Sequence, residues 1–244
     1  MKQLIIKLID IFVKIWLRIK DTFWRVRDFF YRKVTKAPQV ASVDDTIDEI
    51  VKNKRSIARF GDGEIKLAAG KNISFQVNSK KIRDKMREVL SSNVDGLMIG
   101  IADIFDNGER YDEVTNKHWK KHLARFRGVW YKYLLKDKTY YNASMTRQYI
   151  GLRHKEESGE IFEHIKKIWD NRDVVIIEGE MSRLGVGNDL LDNAKSVKRI
   201  LGPSSEAFSK YDEILDEAKK LDKDVLILLA LGPAATCLAY DLHK

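Results

Sequence analysis

The first 36 residues carry an apolar stripe at helical spacing. Its members recur every three or four positions, at Leu4, Leu8, Ile11, Ile15, Ile19, Phe23, Val26 and Phe30. Four aromatic residues widen the stripe: Phe12, Trp16, Trp24 and Phe29. Basic residues fall on another side of the same helix, at Lys7, Lys14, Arg18, Arg25 and Arg32. The pattern predicts one amphipathic helix over residues 1–36, which we call the arm, with Pro38 marking a break after it.

From residue 37 to residue 244, short apolar runs alternate with helical patterns. Strands are predicted over 56–60, 96–102, 139–143, 173–179, 196–202 and 224–232. Helices are predicted over 42–52, 79–90, 116–135, 158–170, 204–221 and from 233 onward. Near-continuous apolar strands that alternate with helices predict an α/β domain of Rossmann-like type, with a mostly parallel sheet and helices on both faces. In such domains ligands bind at the carboxyl ends of the strands.

Charge separates the arm from the domain. The formal net charge of the 244 residues is +9. Residues 1–36 hold ten Lys and Arg against three Asp, a net of +7, whereas the rest holds 35 basic against 33 acidic residues, a net of +2. We therefore expect no nucleic-acid partner for the domain. The single cysteine, Cys237, excludes an internal disulfide and favours a reducing compartment.

The arm is too often interrupted by charge to span a membrane, because a span needs about 20 mostly apolar residues. Asp10 and Lys14 also break any signal-peptide core. A basic helix with Trp and Phe on its apolar side is typical of a helix lying in an anionic membrane interface. The alternative is a helix that packs on its own domain or on a second copy in a homo-oligomer.

The loop after the strand 56–60 contains paired acids in the stretch "RFGDGE", residues 59–64. If the backbone there is extended, Asp62 and Glu64 face the same side. Two carboxylates suit Mg²⁺ or Mn²⁺, whose remaining ligands are commonly phosphate and water. The alternative is that Asp62 caps a following helix.

Three more strand-end loops have residues suited to phosphate. After 173–179 comes a glycine-rich turn with a cation, formed by Arg183, Gly185, Gly187, Asn188 and Asp189. The alternative is that these residues form an ordinary surface loop. Two further loops begin predicted helices: Ser204 and Ser205 after the strand 196–202, and the turn from Gly232 to Thr236. The free N–H groups of such a helix start can bind an anion. The alternative is ordinary helix capping. Together, these loops and the paired acids suit a metal ion bridging a diphosphate.

Four blocks of the sequence resemble the GT-D-type glycosyltransferases of Gram-positive bacteria, which include an enzyme that extends glycans on serine-rich-repeat adhesins. The blocks are "RFGDGE", "IIEGEMSRLGVGNDLLDNAKSVKRI", "PSSEAFSKYDEIL" and "LILLALGPAATCLAYDL", and the likeness runs from about residue 55 to 244. It implies a GT-D-type domain over 37–244. Family chains usually continue with another strand and an acceptor-side tail. This sequence ends at Lys244, which implies either truncation or a differently built acceptor side.

The resemblance also implies roles for residues. Asp62 and Glu64 match a D-x-E motif that would bind Mn²⁺ or Mg²⁺ on the diphosphate of a UDP-sugar, with Arg59 as a neighbouring partner. From the chemistry of the residues, and not from the resemblance, we infer that the donor is held by the block from Arg183 to Asn188, the turn from Gly232 to Thr236, and Ser204 with Ser205.

Candidate general bases are the strand-end acids Asp103 and Glu180, each of which is equally explained as a structural acid. Arg147 and Tyr149 are predicted to contact donor or acceptor, or to form a surface ion pair and a core aromatic. His118 and His122 lie four apart on a predicted helix, and for want of a third ligand we interpret them as a solvated face. Trp119, Trp130 and Tyr133 are predicted to pack in the core.

The sequence thus predicts a peripheral glycosyltransferase at the inner face of the cell membrane. It would move a hexose, glucose or galactose, from a UDP-sugar to a cell-surface glycan, a glycoprotein or a lipid-linked saccharide. The alternative is a nucleotide-binding scaffold protein without catalysis, held at the membrane by the same arm.

Overall fold

The arm is a single helix, as predicted. The computed structural model describes residues 2–106, 108–147 and 149–244, and helix α1 extends over Lys2–Val34. The side chains of residues 2–10 and of Val13 lie outside the described part, so Leu4, Lys7 and Leu8 of the predicted stripe and basic row are not placed.

The described strands pair only in parallel. They are β1 (Gln39–Val40), β2 (Ser56–Phe60), β3 (Leu97–Ile101), β4 (Thr139–Asn142), β5 (Asp173–Gly179), β6 (Ser196–Gly202) and β7 (Leu226–Ala230). One sheet has the strand order β1-β4-β3-β2 and the other has the order β6-β5-β7. Every strand pairing within each sheet is parallel. The six predicted strands are confirmed within two residues at each end, and only the two-residue β1 was not predicted.

Seven helices follow the arm in the described chain. They are α2 (Val43–Asn53), α3 (Asp62–Ala68), α4 (Lys80–Leu90), α5 (Glu113–Tyr133), α6 (Ser158–Lys166), α7 (Tyr211–Ala218) and α8 (Pro233–His243). Serine caps start two of them: Ser42 Oγ accepts from the N–H of Asp45 at 3.0 Å, and Ser79 Oγ accepts from Ile82 at 3.3 Å.

Side chains alternate between two hydrophobic cores along the central strands. Phe60, Ile99 and Ile177 point to a core formed with α4, α5, α7 and α8. Met98 and Ile176 point to the opposite core, formed with α2 and α6. Both cores contain residues of both sheets, so the sheets act as one layer with helices on each face. The predicted Rossmann-like α/β architecture is confirmed.

The predicted helix over 204–221 is wrong at its start. Residues 203–206 form a turn, a short 3₁₀ helix follows over Ala207–Lys210, and α7 begins only at Tyr211. The reason is Glu206, which has a left-handed backbone (φ 54°) that a continuous helix does not allow. Ser204 and Ser205 therefore do not cap a helix.

Candidate active site

The paired acids lie at the carboxyl end of β2, in what we call the acidic turn, residues 61–64. Gly61 is the N-cap of α3, Asp62 is its first residue, and Glu64 is its third. The Gly61 N–H donates to Glu64 Oε2 at 2.8 Å, which is half of a capping box. The expectation of an extended backbone is wrong, because both acids are helical and residues two apart on a helix point about 200° apart. The helix-capping role belongs to Glu64 rather than to Asp62.

Asp62 lies beside a lysine and a histidine. Its Oδ2 lies 2.5 Å from Lys66 Nζ, one helical turn ahead, and 3.6 Å from His118 Nε2 on α5. Burial alone would raise the pKa of Asp62, but the Lys66 ammonium outweighs it and the pKa is lowered. Asp62 is therefore ionised at neutral pH, and its Oδ1 has no hydrogen-bond partner in the described part of the chain.

Glu64 has the opposite electrostatics. Burial raises its pKa, and the nearby charge of Asp62 adds to this, while the Gly61 N–H and the more distant Arg59 oppose it. A cation bound close to this carboxyl group would favour the ionised form of Glu64. The acidic turn thus combines one carboxylate stabilised as an anion with one that gains from a neighbouring positive charge.

Arg59 links the acidic turn to its surroundings. Its Nη1 donates to the carbonyl oxygen of Ala143 at 3.1 Å and to the Thr146 hydroxyl, in the 3₁₀ helix Ala143–Thr146 after β4. Its own carbonyl oxygen accepts from Thr236 Oγ1, at 2.7 Å, in the first turns of α8. Arg59 therefore supports the turn from beside it, and the Thr236 hydroxyl predicted to bind the donor is used inside the protein.

The interpretation of His118 and His122 as a solvated face is wrong for His122. This ring is only 4 % exposed, and its Nε2 accepts from the indole N–H of Trp130 at 3.1 Å. That bond places the ring proton on Nδ1, which has no partner among the described residues. Burial lowers the pKa of His122 to about 3, although the charge of Asp62 opposes the shift. Sequence spacing showed two histidines on one face of α5 but could not show that the face packs beside the acidic turn.

The described residues contain no group of three or more His, Cys, Asp and Glu side chains arranged to hold a metal ion. The oxygen chemistry of Asp62 and Glu64 nevertheless suits Mg²⁺ or Mn²⁺. With two carboxylates at most from the acidic turn, the other ligands of such an ion would come from a bound phosphate and water.

The glycine loop, residues 180–191, is tied down by an acid that the sequence analysis missed. The side chain of Glu178, at the end of β5, is 1 % exposed. It pairs with Arg199 on β6 and accepts from the N–H of Leu184 at 3.1 Å. Arg199 also donates to the Leu184 carbonyl oxygen at 2.7 Å. The signal was present in "DVVIIEG", where a single acid interrupts a buried strand.

Within this loop the glycines meet local demands of the backbone. Gly185 and Gly187 have positive φ values of 72° and 78°, and a Cβ on Gly185 would lie 2.5 Å from Leu191. The Asn188 side chain accepts from the N–H of Leu190 at 3.1 Å and so closes a turn. Arg183 is exposed and forms no ion pair among the described residues, which leaves its guanidinium available to an anion.

A cavity of about 290 Å³ opens at the carboxyl ends of β5, β6 and β7; we call it the strand-end cavity. Its lining includes Gly179, Ser204, Ser205 and Gly232, together with Phe75 and Gln76 from the loop between α3 and α4. Of the predicted donor-binding residues, Ser204, Ser205 and Gly232 thus share one cavity. The acidic turn and the residues Arg183, Gly185, Gly187 and Asn188 do not line it.

Two glycines in the wall of this cavity are closely approached by neighbouring groups. A Cβ on Gly179 would lie 3.1 Å from Ser204 Cα, and one on Gly232 would lie 3.1 Å from the Phe75 ring. Ser204 Oγ accepts from the N–H of Met181 at 3.2 Å, which joins the loops after β5 and β6. Small residues at these positions keep the cavity open.

The loop at 71–78, also missed by the sequence analysis, forms one side of the cavity. Gln76 is buried, and its amide donates to Glu206 Oε2 at 2.9 Å and accepts from the N–H of Phe208 at 3.1 Å. Glu206 Oε1 in turn accepts from the N–H of Val77 at 2.8 Å. These bonds leave the Phe75 ring 47 % exposed at the cavity, where a flat ligand could stack on it.

The two candidate bases have different surroundings. Asp103 forms an ion pair with Arg110, which also pairs with Asp106. Glu180 is exposed, and its N–H donates to the Gly202 carbonyl oxygen at 2.9 Å. Neither arrangement identifies a base.

The other predicted contacts lie at the surface. Arg147 is exposed beside Arg59, and its charge adds to the burial that lowers the pKa of the Arg59 guanidinium. Tyr149 is about half exposed and stacks on Phe162, with 5.7 Å between ring centroids, so it is not the core aromatic of the alternative interpretation. Trp130 is fully buried, as predicted, and Trp119 and Tyr133 pack partly buried against the core.

Comparison with known proteins gives concordant results. Residues 57–244 match the family model described as the glycosyltransferase GT-D fold. The chain is 38 % identical over 205 residues to glycosyltransferase GlyD of Streptococcus pneumoniae serotype 4, and 37 % identical over 204 residues to the probable glycosyl transferase Gly of Streptococcus gordonii. These matches cover 84 % and 83 % of this chain but only 25 % and 30 % of the relatives. The chain therefore spans less than a third of the length of these curated relatives.

Solved structures agree. The structure described as a new glycosyltransferase (DUF1792) from Streptococcus sanguinis superposes with a TM-score of 0.81 at 36 % identity, over 84 % of this chain and 77 % of the other. A structure described as domain of unknown function 1792 with a distinct glycosyltransferase fold gives a TM-score of 0.82 at 34 % identity, over 88 % of this chain and 78 % of the other.

Proposed function

Since the chain belongs to the GT-D family of glycosyltransferases, we propose that it is a metal-dependent hexosyltransferase that uses a UDP-sugar donor. The sugar would be glucose or galactose, and the acceptor a cell-surface glycan, a glycoprotein or a lipid-linked saccharide. One observation supports this most directly. The strand-end cavity and the acidic turn both lie at carboxyl ends of parallel strands. The hydrogen bond from Thr236 to the Arg59 carbonyl connects α8, which begins at the cavity, to β2, which leads into the acidic turn.

The strand-end cavity suits the nucleoside part of the donor. Its volume of about 290 Å³ is at the small end of ligand sites. The Phe75 ring offers a stacking face for the base, and the Ser204 and Ser205 hydroxyls offer polar partners. The N-terminus of α8, after Gly232, carries the positive end of the helix dipole and suits the diphosphate. Arg183 on the adjacent glycine loop would add a positive charge to the same group.

Asp62 and Glu64 would hold Mn²⁺ or Mg²⁺ at the diphosphate, and the bound ion would supply Lewis-acid stabilisation of the departing UDP. This chain's own contribution is to prepare the two carboxylates. Lys66 keeps Asp62 ionised, His118 lies beside the same carboxylate, and the Gly61 N–H orients Glu64. Asp103 and Glu180 remain the candidates for accepting a proton from the acceptor hydroxyl.

The proposal is tested by measuring UDP release from a panel of UDP-sugars, with and without acceptor saccharides, in Mn²⁺, in Mg²⁺ and in EDTA. We expect turnover with one hexose donor that EDTA abolishes. Full activity in EDTA, or in the double variant Asp62→Asn with Glu64→Gln, would refute the metal role. The matched control is Asp222→Asn with Glu213→Gln, which changes two carboxylates away from the site.

The same experiment separates catalysis from the alternative of a nucleotide-binding scaffold. A scaffold would bind UDP, measurable by calorimetry, yet release no UDP from any donor of the panel. If the wild type turns over one donor much faster than the double variant does, the hypothesis of a non-catalytic scaffold is excluded.

A further inference from the structure

The arm is bound to the domain by the side opposite its apolar stripe. Asp21 Oδ1 pairs with Arg125 on α5 at 3.0 Å, and Asp28 Oδ1 pairs with the buried Arg127 at 2.5 Å. Arg27 donates to the Arg125 carbonyl oxygen at 2.7 Å. Amphipathic helices of globular proteins usually bury their apolar side, whereas this one attaches to its domain largely through charged groups.

Along the sequence, residues that face α5 are followed two positions later by residues of the stripe. Asp21, Trp24 and Asp28 face α5, while Phe23, Val26 and Phe30 follow each of them by two positions. Two residues of an α-helix correspond to about 200°, so the stripe points away from the domain.

The placement of Trp24 with the stripe is wrong, because its side chain is partly buried on the side of the domain. The other described members of the stripe are exposed along the arm. Phe12 is 70 % exposed, Trp16 59 %, Phe23 60 % and Phe30 61 %. Ile15, Ile19, Val26 and Phe29 are exposed beside them. An apolar patch of this length requires a partner, because its contact with water is unfavourable.

A row of cations accompanies the stripe. Lys14, Arg18 and Arg25 are exposed, lie on one line of the helix, and form no ion pair with a side chain that the structure describes. Lys20 lies 4.8 Å from the Trp16 ring centroid and Lys33 lies 5.7 Å from that of Phe29. Free cations beside exposed aromatic rings match the headgroup region of an anionic bilayer, where apolar groups enter the lipid and cations meet phosphate.

We infer that the arm is a membrane-interface anchor that binds anionic phospholipid, as on the inner leaflet of the cell membrane, while its opposite side stays attached to α5. A second copy of the chain fits less well, because it would bring another arm with a net charge of +7 to the same surface. In the described part of the chain, no helix is both long and apolar enough to cross a membrane.

The anchor is directed toward the candidate active site. The contacts of α1 with α5 follow the same order along both helices, from Asp21 with Arg125 to Tyr31 with Tyr131. Tracing α1 back from Asp21 therefore leads toward the start of α5, where His118 lies beside Asp62.

The test is flotation of the full chain with vesicles of phosphatidylglycerol and phosphatidylcholine in equal parts, and with vesicles of phosphatidylcholine alone. We expect binding to the anionic vesicles and a blue shift of tryptophan fluorescence. Replacing the stripe residues by Phe12→Ser, Trp16→Ser and Phe23→Ser should weaken binding on the order of 100-fold, because three apolar side chains no longer enter the lipid. Lys14→Gln, Arg18→Gln and Arg25→Gln should weaken binding to anionic vesicles roughly 100-fold, at about 1 kcal/mol per cation.

The matched control is Val114→Ser with Leu201→Ser, which removes exposed apolar side chains outside the arm and should leave binding unchanged. Equal vesicle binding by the wild type and the stripe variant overturns the inference, as does no binding by the wild type. A wild-type dimer that becomes monomeric in the stripe variant, seen by sedimentation, would assign the surface to a second copy instead. Flotation needs no enzymatic turnover, so its outcome is independent of the proposed activity.

Discussion

The acidic turn and the strand-end cavity both lie at carboxyl ends of parallel strands but are built in different ways. The acidic turn is set by charge: Asp62 pairs with Lys66 and lies 3.6 Å from His118. The strand-end cavity is set by shape, because Gly179 and Gly232 allow close approach of neighbouring groups. Under the proposed function, the turn would take the charged, reacting end of the donor and the cavity its neutral part.

The largest effect is expected from removing negative charge from the acidic turn. Asp62→Asn should lower kcat/KM on the order of 1,000-fold, because the metal would lose a ligand at the position where negative charge develops. The unfolding midpoint should change little, since the ion pair with Lys66 is partly exposed. Steady-state kinetics and thermal unfolding check both expectations. If Asp62→Asn is as active as the control Asp222→Asn, negative charge at the acidic turn is not required for activity.

A second prediction concerns the buried imidazole behind the turn. The pKa of His122 is lowered to about 3 in the folded protein from about 6.5 in the unfolded chain, so its contribution to stability is present above pH 6.5 and is lost as the pH falls toward 3. Between pH 7 and pH 4 the free energy of unfolding should fall by roughly 3 kcal/mol from this group.

Urea unfolding at several pH values measures this loss. His122→Phe should be less dependent on pH across the same range, whereas His154→Gln, at an exposed histidine, should retain the wild-type dependence. Identical pH profiles for His122→Phe and the wild type would contradict the assignment.

The cavity should respond to shape rather than to charge. Gly179→Ala places a Cβ 3.1 Å from Ser204 Cα, so the loops after β5 and β6 must separate. We expect UDP affinity to fall about tenfold, a loss of about 1.4 kcal/mol, with the pH dependence of stability unchanged. Calorimetry with UDP is the measurement. Gly159→Ala is the control, since nothing lies within 4 Å of its added Cβ, and equal affinities for both variants would argue against a nucleotide in this cavity.

The smallest expected effect concerns the connection between the two regions. Thr236→Val removes the hydroxyl that donates to the Arg59 carbonyl oxygen at 2.7 Å. The loss of a buried hydrogen bond should cost about 1 kcal/mol of stability, with a decrease in kcat/KM of only a few-fold. Thr22→Val, which removes a comparable bond on the exposed arm, should cost less. An effect on activity as large as that of Asp62→Asn would mean that Thr236 contacts the donor itself.

Much of the fold could be predicted from sequence because it depends on local patterns. Apolar runs bounded by loops located β2 and β5 without error, and the helix predicted over 42–52 starts at Ser42, the observed cap of α2. The start of α7 was not predictable in this way, because the left-handed backbone of Glu206 accompanies its contacts with Gln76 and Val77, about 130 residues away.

The candidate site, like the fold, has features that local sequence reveals and features that depend on distant residues. Motif and resemblance pointed to Asp62 and Glu64 and to the glycine loop, and the comparisons with known proteins confirm the family. The environment of these residues was not visible in sequence. Helix geometry, not an extended turn, determines where the two carboxylates point, and Glu178, Gln76 and Phe75 gain importance only when distant loops meet.

The sequence by itself determined the order of strands and helices, the family, the acidic pair and the amphipathic arm, because periodicity and short motifs are properties of neighbouring residues. Only the tertiary structure decided the protonation of His122, the pairing of Glu178 with Arg199, the shape of the strand-end cavity and the side of the arm that stays exposed. Each of these depends on burial and on charges brought together from distant parts of the chain, and both quantities exist only once the chain has folded.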